Sequence, residues 1–382
     1  MDEYDVLVRG SGIVGKSLAL SLARQGLRVA LLADAAENLG PDLRAFAMNA
    51  ASVAWLRGLK VWDQLPPSAT TAVHDMHIKG DGAASSGIDS GAHSGSLDFS
   101  AWSHRVPELA WIVDAAVLER ELANAVKFAP HITQVKTEVT ATLTALCEGR
   151  ASASRDALGV TFQKNDYGHR AIAARLKCSW GHRHVARQWF RSPDVLALLP
   201  FGGSQAAHSN EASYGCVWSM PESNAQEFLA MNDSAFNEAL MRATQGEAGE
   251  LSLVSERASW PLMRAQASAW CGPGWVLLGD AAHVIHPLAG QGLNLGLADV
   301  ATLTQTLLER EPWRALGDEK LLRRYARQRA APTQTMGRVT EGLLQLFAAE
   351  RPAVRELRNR GMSLVNQLSP LKRWLTVRAL DS

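Results

Sequence analysis

Trp275-Val-Leu-Leu-Gly-Asp-Ala-Ala-His-Val-Ile-His-Pro-Leu-Ala-Gly-Gln-Gly-Leu-Asn-Leu-Gly296 decides how this chain is read. Trp275 to Leu278 has the character of a short buried strand, Gly279 lets the backbone turn, and Asp280 presents a carboxylate at the strand's end. After His286-Pro287, the small-residue loop Ala289-Gly-Gln-Gly292 feeds a helix whose apolar positions fall at Leu293, Leu297, Val300 and Leu303. A glycine-rich loop entering a helix leaves several N–H groups unpaired at the positive end of the helix dipole, which suits an anion. Gly290 and Gly292 let a planar ligand lie on bare backbone, and Asp280 can accept hydrogen bonds from ligand hydroxyls.

The N-terminus supplies the other half. Tyr4 to Val8 reads as a short strand, Gly10-Ser-Gly12-Ile13-Val14-Gly15 follows at once, and Val14, Leu18 and Leu22 mark one helix face. Gly26 ends that helix, and Arg28-Val-Ala-Leu-Leu32 reads as the next strand. This is a βαβ unit with G-x-G-x-x-G in its confirming context, where the glycines allow a tight turn, the approach of a pyrophosphate and close helix–strand packing. An acid that binds the adenosine ribose is expected at the end of the second strand; Asp34 is the first candidate and Glu37 the alternative. A flat, hydroxyl-bearing ligand that becomes anionic in turnover fits both halves. Reduced flavin is such a ligand.

On these residues the chain resembles the single-component flavoprotein aromatic hydroxylases, and within them the UbiH/UbiF type of ubiquinone-biosynthesis ring hydroxylase. Further strings carry the resemblance: Asp42-Leu43-Arg44, Glu148-Gly149-Arg150, Asp166-Tyr167-Gly168-His169-Arg170 and Ala186-Arg-Gln188-Trp-Phe190. The resemblance implies an FAD-dependent monooxygenase that hydroxylates a polyprenylated phenol or benzoquinol, with NADH or NADPH as transient reductant and oxygen delivered through a flavin hydroperoxide. It places Arg44 near the flavin and implies cofactor contacts at Gly10, Gly12, Ile13, Val14, Gly15, Gly279, Asp280, Ala289, Gly290, Gly292, Leu293 and Asn294. Pro287, Gly290 and Gln291 are expected to position the flavin face, with no protein nucleophile. Three departures stand out: Ala33 occupies the place of a strand-end glutamate, Glu148 replaces an aspartate, and the segment from Leu118 to Glu148 is short.

Composition sets outer bounds. A chain of 382 residues holds two or three domains at about 100–200 residues each. A formal net charge of +1 leaves no electrostatic footprint for nucleic acid. Cys147, Cys178, Cys216 and Cys271 form no Cys-x-x-Cys pair and read as small buried hydrophobes. His283 and His286, three apart with no clustered acid or cysteine, give poor support for a metal. No G-x-S-x-G elbow appears, which argues against hydrolase chemistry. His182-Arg-His184 reads as a solvated turn, and His169 and Arg170 as structural residues. The first apolar run belongs to the βαβ unit and has no basic lead, so no signal peptide is expected. The cytoplasm is the expected compartment, with peripheral attachment to the inner membrane face.

The expected architecture is α/β: a discontinuous Rossmann-like FAD-binding domain (1–75, 105–158 and 270–335), an inserted mixed or antiparallel sheet for substrate (76–104 and 159–269), and a C-terminal helical region (336–382). Gly80 to Ser100, rich in Gly, Ser and Asp, is expected to be a loop or hairpin. Past Gly337, apolar positions alternate with Arg351, Arg355, Arg358, Arg360, Lys372, Arg373 and Arg378, the pattern of a packed helix with a basic face or of a membrane-surface segment. Because a polyprenyl tail is insoluble, a membrane-associated ubiquinone-biosynthesis complex is an expected partner, and a homo-oligomer is a further expected state. A flavin-dependent dehydrogenase and a non-catalytic FAD-binding scaffold remain alternatives, because the same FAD cradle serves all three.

Overall fold

A computed structural model describes residues 4–32, 42–80, 95–202, 213–285 and 291–348. The Tyr4–Arg9 strand lies inside a six-stranded sheet, ordered Cys271–Gly272, Trp275–Leu277, Ala141–Leu146, Tyr4–Arg9, Val29–Leu32, Ile132–Val135. Every neighbouring pair is parallel except the edge hairpin 271–277. Parallel strands are covered on both faces, which is why Val6-Leu-Val8 and Val29-Ala-Leu31 are continuously apolar. On one face Val6, Val8, Val29, Leu31, Leu143 and Ala145 pack with Leu18 and Leu22 of helix Ile13–Arg24 and with Val300, Leu303 and Leu307 of helix Gly292–Leu308. On the other, Leu146 and Leu277 meet Trp270 and Ala281. Helix Ala115–Phe128 adds Leu118, Leu122 and Val126, one buried residue per turn.

The second large sheet has nine strands and is antiparallel apart from the Val185–Arg191/Asp75–Lys79 pair. Its central strand, Phe162–Cys178, slips register between Asp166 and His169, where Gly168 takes φ +63°. Helices Glu222–Ala230 and Asp233–Thr244 cover one face, packing Phe236, Ala239 and Leu240 on Trp189, Leu196 and Trp218. From the opposite face, Ala186, Leu199 and Phe201 pack against Ala45 and Ile112. Those two residues belong to a third sheet, Ala45–Met48, Ala110–Asp114 and Thr70–Val73, all antiparallel. The chain thus visits the nine-stranded sheet at Asp75–Ser100, returns to the six-stranded sheet for Ile132–Leu146, re-enters the nine-stranded sheet at Phe162, and comes back to the six-stranded sheet at Cys271–Leu277, so each sheet is built from separate stretches of chain. The discontinuous α/β architecture is the one expected.

Some local expectations change. The three-stranded sheet was not foreseen, because its strands come from three separate stretches of chain. Asp75–Lys79 pairs antiparallel with Ser96–Ser100, and residues 81–94 between them lie outside the described residues. His182 is not solvated: it is fully buried, and His184 stacks on His74 at 4.6 Å between ring centroids. Helix Glu319–Ala348 runs through Pro332 and is continuous across residue 336, where the sequence places the start of a separate helical region. The basic positions from Arg351 to Arg378 lie outside the described residues. Cys147, Cys178 and Cys216 are buried and Cys271 partly so, and burial pushes the Cys216 thiol up to about 12.

Candidate functional site

The three fingerprint glycines are small for three different reasons. Gly10 sits at φ +101°, and a Cβ there would lie 2.3 Å from the Cys147 carbonyl oxygen. On Gly15 a Cβ would lie 1.9 Å from the Gly10 carbonyl oxygen, so the helix could not seat against its own entry turn. Gly12, at φ −73°, faces open space. Nothing in the fold requires that position to be bare; a ligand lying against it would.

Gly12 caps helix Ile13–Arg24 with no side-chain hydrogen bond and no acid in the first turn. Helix Gly292–Leu308 begins the same way at Gln291, and Gly292 also faces open space. All other described helices of eight or more residues have a first-turn acid or a side-chain cap: Asn49, Asp114 and Asn232 cap three of them, Glu222 opens a fourth, and Asp318 with Glu319 starts the fifth. Two helix N-termini with neither a side-chain cap nor a first-turn acid leave their dipoles uncompensated, an anion-binding arrangement.

Val14 pins the two together. Gly279 adopts φ +58°, and a Cβ on it would meet Val14 Cγ2 at 3.2 Å, while one on Gly296 would meet the same methyl at 2.8 Å. Val14 thus fills the notch where the first helix, the 279 turn and the second helix cross. Ile13 is buried in the same core, and Leu293 packs against it. These two anchor the helix starts by packing.

Asp280 follows Gly279 in the short turn Gly279–Ala281. It is solvent-exposed yet ringed by chain, and that crowding raises its carboxyl pKa, with His283, Arg150 and Arg44 pulling the other way. Behind it lies a network that sequence reasoning missed. Asp299 is fully buried; its Oδ2 accepts the Gly279 N–H at 2.9 Å and His283 Nε2 at 2.7 Å, and its Oδ1 accepts Arg329 Nε at 2.7 Å. Arg329 also donates to the Leu295 carbonyl at 3.2 Å, and Trp270 stacks on His283 at 5.0 Å. Burial alone would raise the Asp299 pKa; His283 and Arg329 overcome it and hold the carboxyl below its usual value. His283 is therefore occupied by Asp299, and His286 lies outside the described residues. Among the described residues no group of three or more His, Cys, Asp and Glu side chains is placed to hold a metal.

Asn294 holds the second helix start through its side chain, which leaves only its backbone amide to face a ligand. Its side-chain oxygen accepts the Asn49 N–H at 3.1 Å, and its amide donates to the Ala47 carbonyl at 2.8 Å and to Gln291 Oε1 at 3.1 Å. The side chain ties the second bare helix to the Ala45–Met48 strand and is not free for a ligand; Gln291 is held with it. Arg44 is half-exposed and clamped by Asp42 at 2.8 and 2.7 Å, which raises its pKa. Arg175, from the nine-stranded sheet, donates to the Arg44 carbonyl at 3.3 Å and lies 3.6 Å from Asp114, joining the sheet to this edge of the site. Glu148 is bound by Arg9 at 3.1 Å, by the Ser152 and Ser154 hydroxyls at 2.6 Å each and by the Ser154 N–H at 3.2 Å. The longer arm of this glutamate reaches a turn it braces. Arg155, almost fully buried, connects that turn to the Ala281 carbonyl at 3.2 Å. Asp34, Glu37, Pro287, Ala289 and Gly290 lie outside the described residues.

Two anion-ready helix starts, an exposed carboxylate between them and a bare glycine on each form a dinucleotide cradle. Residues 113–340 match the FAD binding domain family. The chain belongs to that family. Similarity to curated proteins extends over the rest of the chain as well. It is 27% identical to the 3-demethoxyubiquinol 3-hydroxylase of Escherichia coli (strain K12), over 97% of this chain and 96% of that one. The ubiquinone hydroxylase UbiM of Neisseria meningitidis serogroup C is 25% identical over 97% of this chain and 83% of its own. Among solved structures, PqsL of Pseudomonas aeruginosa, a probable FAD-dependent monooxygenase, superposes with a TM-score of 0.74 at 18% identity, covering 94% of this chain and 99% of that one. The last likeness concerns fold.

Proposed function

We propose that this chain is an FAD-dependent monooxygenase that hydroxylates the ring of a polyprenylated phenol or benzoquinol in ubiquinone biosynthesis, using NAD(P)H and O2. The carrying observation is the pair of bare helix N-termini locked by Val14 beside the exposed Asp280, a cradle fitted to FAD and to charge that develops on it. The likeness to two quinone hydroxylases over nearly the whole chain supports the substrate class.

Bound FAD supplies the redox chemistry and oxygen activation. The protein's part is placement. Gly12 leaves room for the pyrophosphate, the Ile13 and Val14 amides face it, and Asp280 accepts from ligand hydroxyls. The amides at Gly292, Leu293 and Asn294 stabilise negative charge in the manner of an oxyanion hole. Pro287, Gly290 and Gln291 position the flavin face, Arg44 flanks it, and Asp34 or Glu37 takes the ribose. Residues 1–75, 105–158 and 270–335 form the cofactor unit; 76–104 and 159–269 form the substrate unit. By strand alternation Ala171, Ala173, Ala197, Val217 and Ser219 share the sheet face of Arg175, and this small-residue face is the one we assign to the substrate ring. Among the described residues no helix is long and apolar enough to cross a membrane. A polyprenyl tail is insoluble, and in this reading it is collected by peripheral attachment through the basic C-terminal residues or within a membrane-associated complex. NAD(P)H-dependent oxygen uptake on addition of a polyprenylated phenol tests the reading. Oxidation of NAD(P)H that ignores the phenol would favour a dehydrogenase, and absence of turnover a scaffold.

A further inference from the structure

The helix-covered side of the nine-stranded sheet holds a cavity of about 240 Å³, lined by Trp189, Trp218, Phe228, Asp194, Arg191 and Arg242 among others. It lies across the sheet from the face described above, since Trp218 pairs with Leu196 and Ile172 and alternates with Val217 and Ser219. Three buried polar atoms there have no hydrogen-bond partner: Asp194 Oδ1, Trp189 Nε1 and Trp218 Nε1. Both tryptophans are 3% exposed. Burial pushes the Asp194 carboxyl up to about 6, against the pull of His169 and of the Trp218 indole beside it. Unpaired buried polar atoms are rare because each carries a desolvation penalty of about 1–3 kcal/mol.

We propose that this cavity binds a single-ring phenol whose hydroxyl donates to Asp194 and accepts from the indole N–H groups of Trp189 and Trp218. The count matches: a hydroxyl has one donor and two lone pairs, and the site offers one acceptor and two donors. One water, with a volume share of about 30 Å³, would leave most of the cavity empty. An alkylammonium suits an acid between aromatic walls, but it has nothing to accept from two indoles, and Arg191 and Arg242 repel it. Trp218 and Phe228, edge to face at 4.8 Å, form walls suited to a flat ring.

The test uses FAD-loaded protein and 4-bromophenol. In soaked crystals the anomalous bromine signal is expected inside the cavity. Calorimetric affinity is expected to fall about tenfold or more in Asp194→Leu and measurably in Trp189→Phe, with melting temperature and flavin content kept. Cyclohexanol and benzylamine are expected to bind more weakly than the phenol. A cavity holding ordered water alone, bromine found only elsewhere, or equal affinity in wild type and both variants overturns the proposal.

Discussion

The Asp299 carboxylate accepts the Gly279 N–H at 2.9 Å, so a buried acid in the second helix fixes the turn that presents Asp280. The same carboxylate neutralises Arg329 and receives His283. Removing it strands a buried arginine, and breaking a buried ion pair typically costs about 3–5 kcal/mol. Asp299→Ala is expected to lose stability on that scale and to release FAD; urea titration with flavin fluorescence reads both. A variant of wild-type stability that keeps its flavin would show that the network does not hold the turn.

The glycine geometry separates binding from folding. Gly12→Val adds bulk into open space at an ordinary φ, so the protein should fold with an unchanged melting temperature when flavin-free and fail to retain FAD. Gly15→Val forces a carbon against the Gly10 carbonyl and should destabilise the flavin-free protein as well. Thermal melts of both, with and without added FAD, distinguish the two roles. Equal FAD retention by Gly12→Val and wild type would move the pyrophosphate elsewhere.

Asp280 is the proposed ligand contact that can be removed without disturbing packing. Asp280→Ala should weaken FAD affinity about tenfold, the worth of a hydrogen bond to a charged group, while leaving the fold intact; equilibrium dialysis of FAD measures it.

Acid should weaken the fold in a defined window. Asp299 and Glu148 are harder to protonate in the fold than at their usual values of 3.8 and 4.5, through His283 and Arg329 for the first, and Ser152, Ser154 and Arg9 for the second. The unfolded chain therefore takes up protons first as pH falls. The stability these groups contribute is fully present above about pH 5 and is lost as pH drops through and below their usual values. Urea midpoints of the flavin-free protein from pH 7 to pH 3 should fall, with a shallower fall in the conservative Asp299→Asn.

The parts of this fold that were legible in the sequence are the local ones. Strand–turn–helix patterns at Tyr4–Gly15 and Trp275–Leu303 depend on residues that follow one another, so periodicity and glycine placement reveal them. The Asp299–His283–Arg329 network joins residues 16 and 30 apart, beyond any local pattern. One signal was present: Asp299 is an acid inside an otherwise apolar helix, between Leu297 and Val300, and a lone buried acid needs a partner. The side-chain role of Asn294 was not legible either, because Asn49 and Ala47, which take up its amide, are brought from another element. His182 read as solvated because its neighbours Arg183 and His184 are polar, whereas tertiary packing on Tyr214 buries it.

The most direct measurement supplies the FAD-loaded protein with NAD(P)H, isotopically heavy O2 and a polyprenylated phenol, and examines the product by mass spectrometry. One heavy oxygen atom on the ring per NAD(P)H oxidised is the result expected. NAD(P)H consumed with hydrogen peroxide or a reduced quinone as the sole product, and no heavy oxygen in the ring, would contradict the assignment.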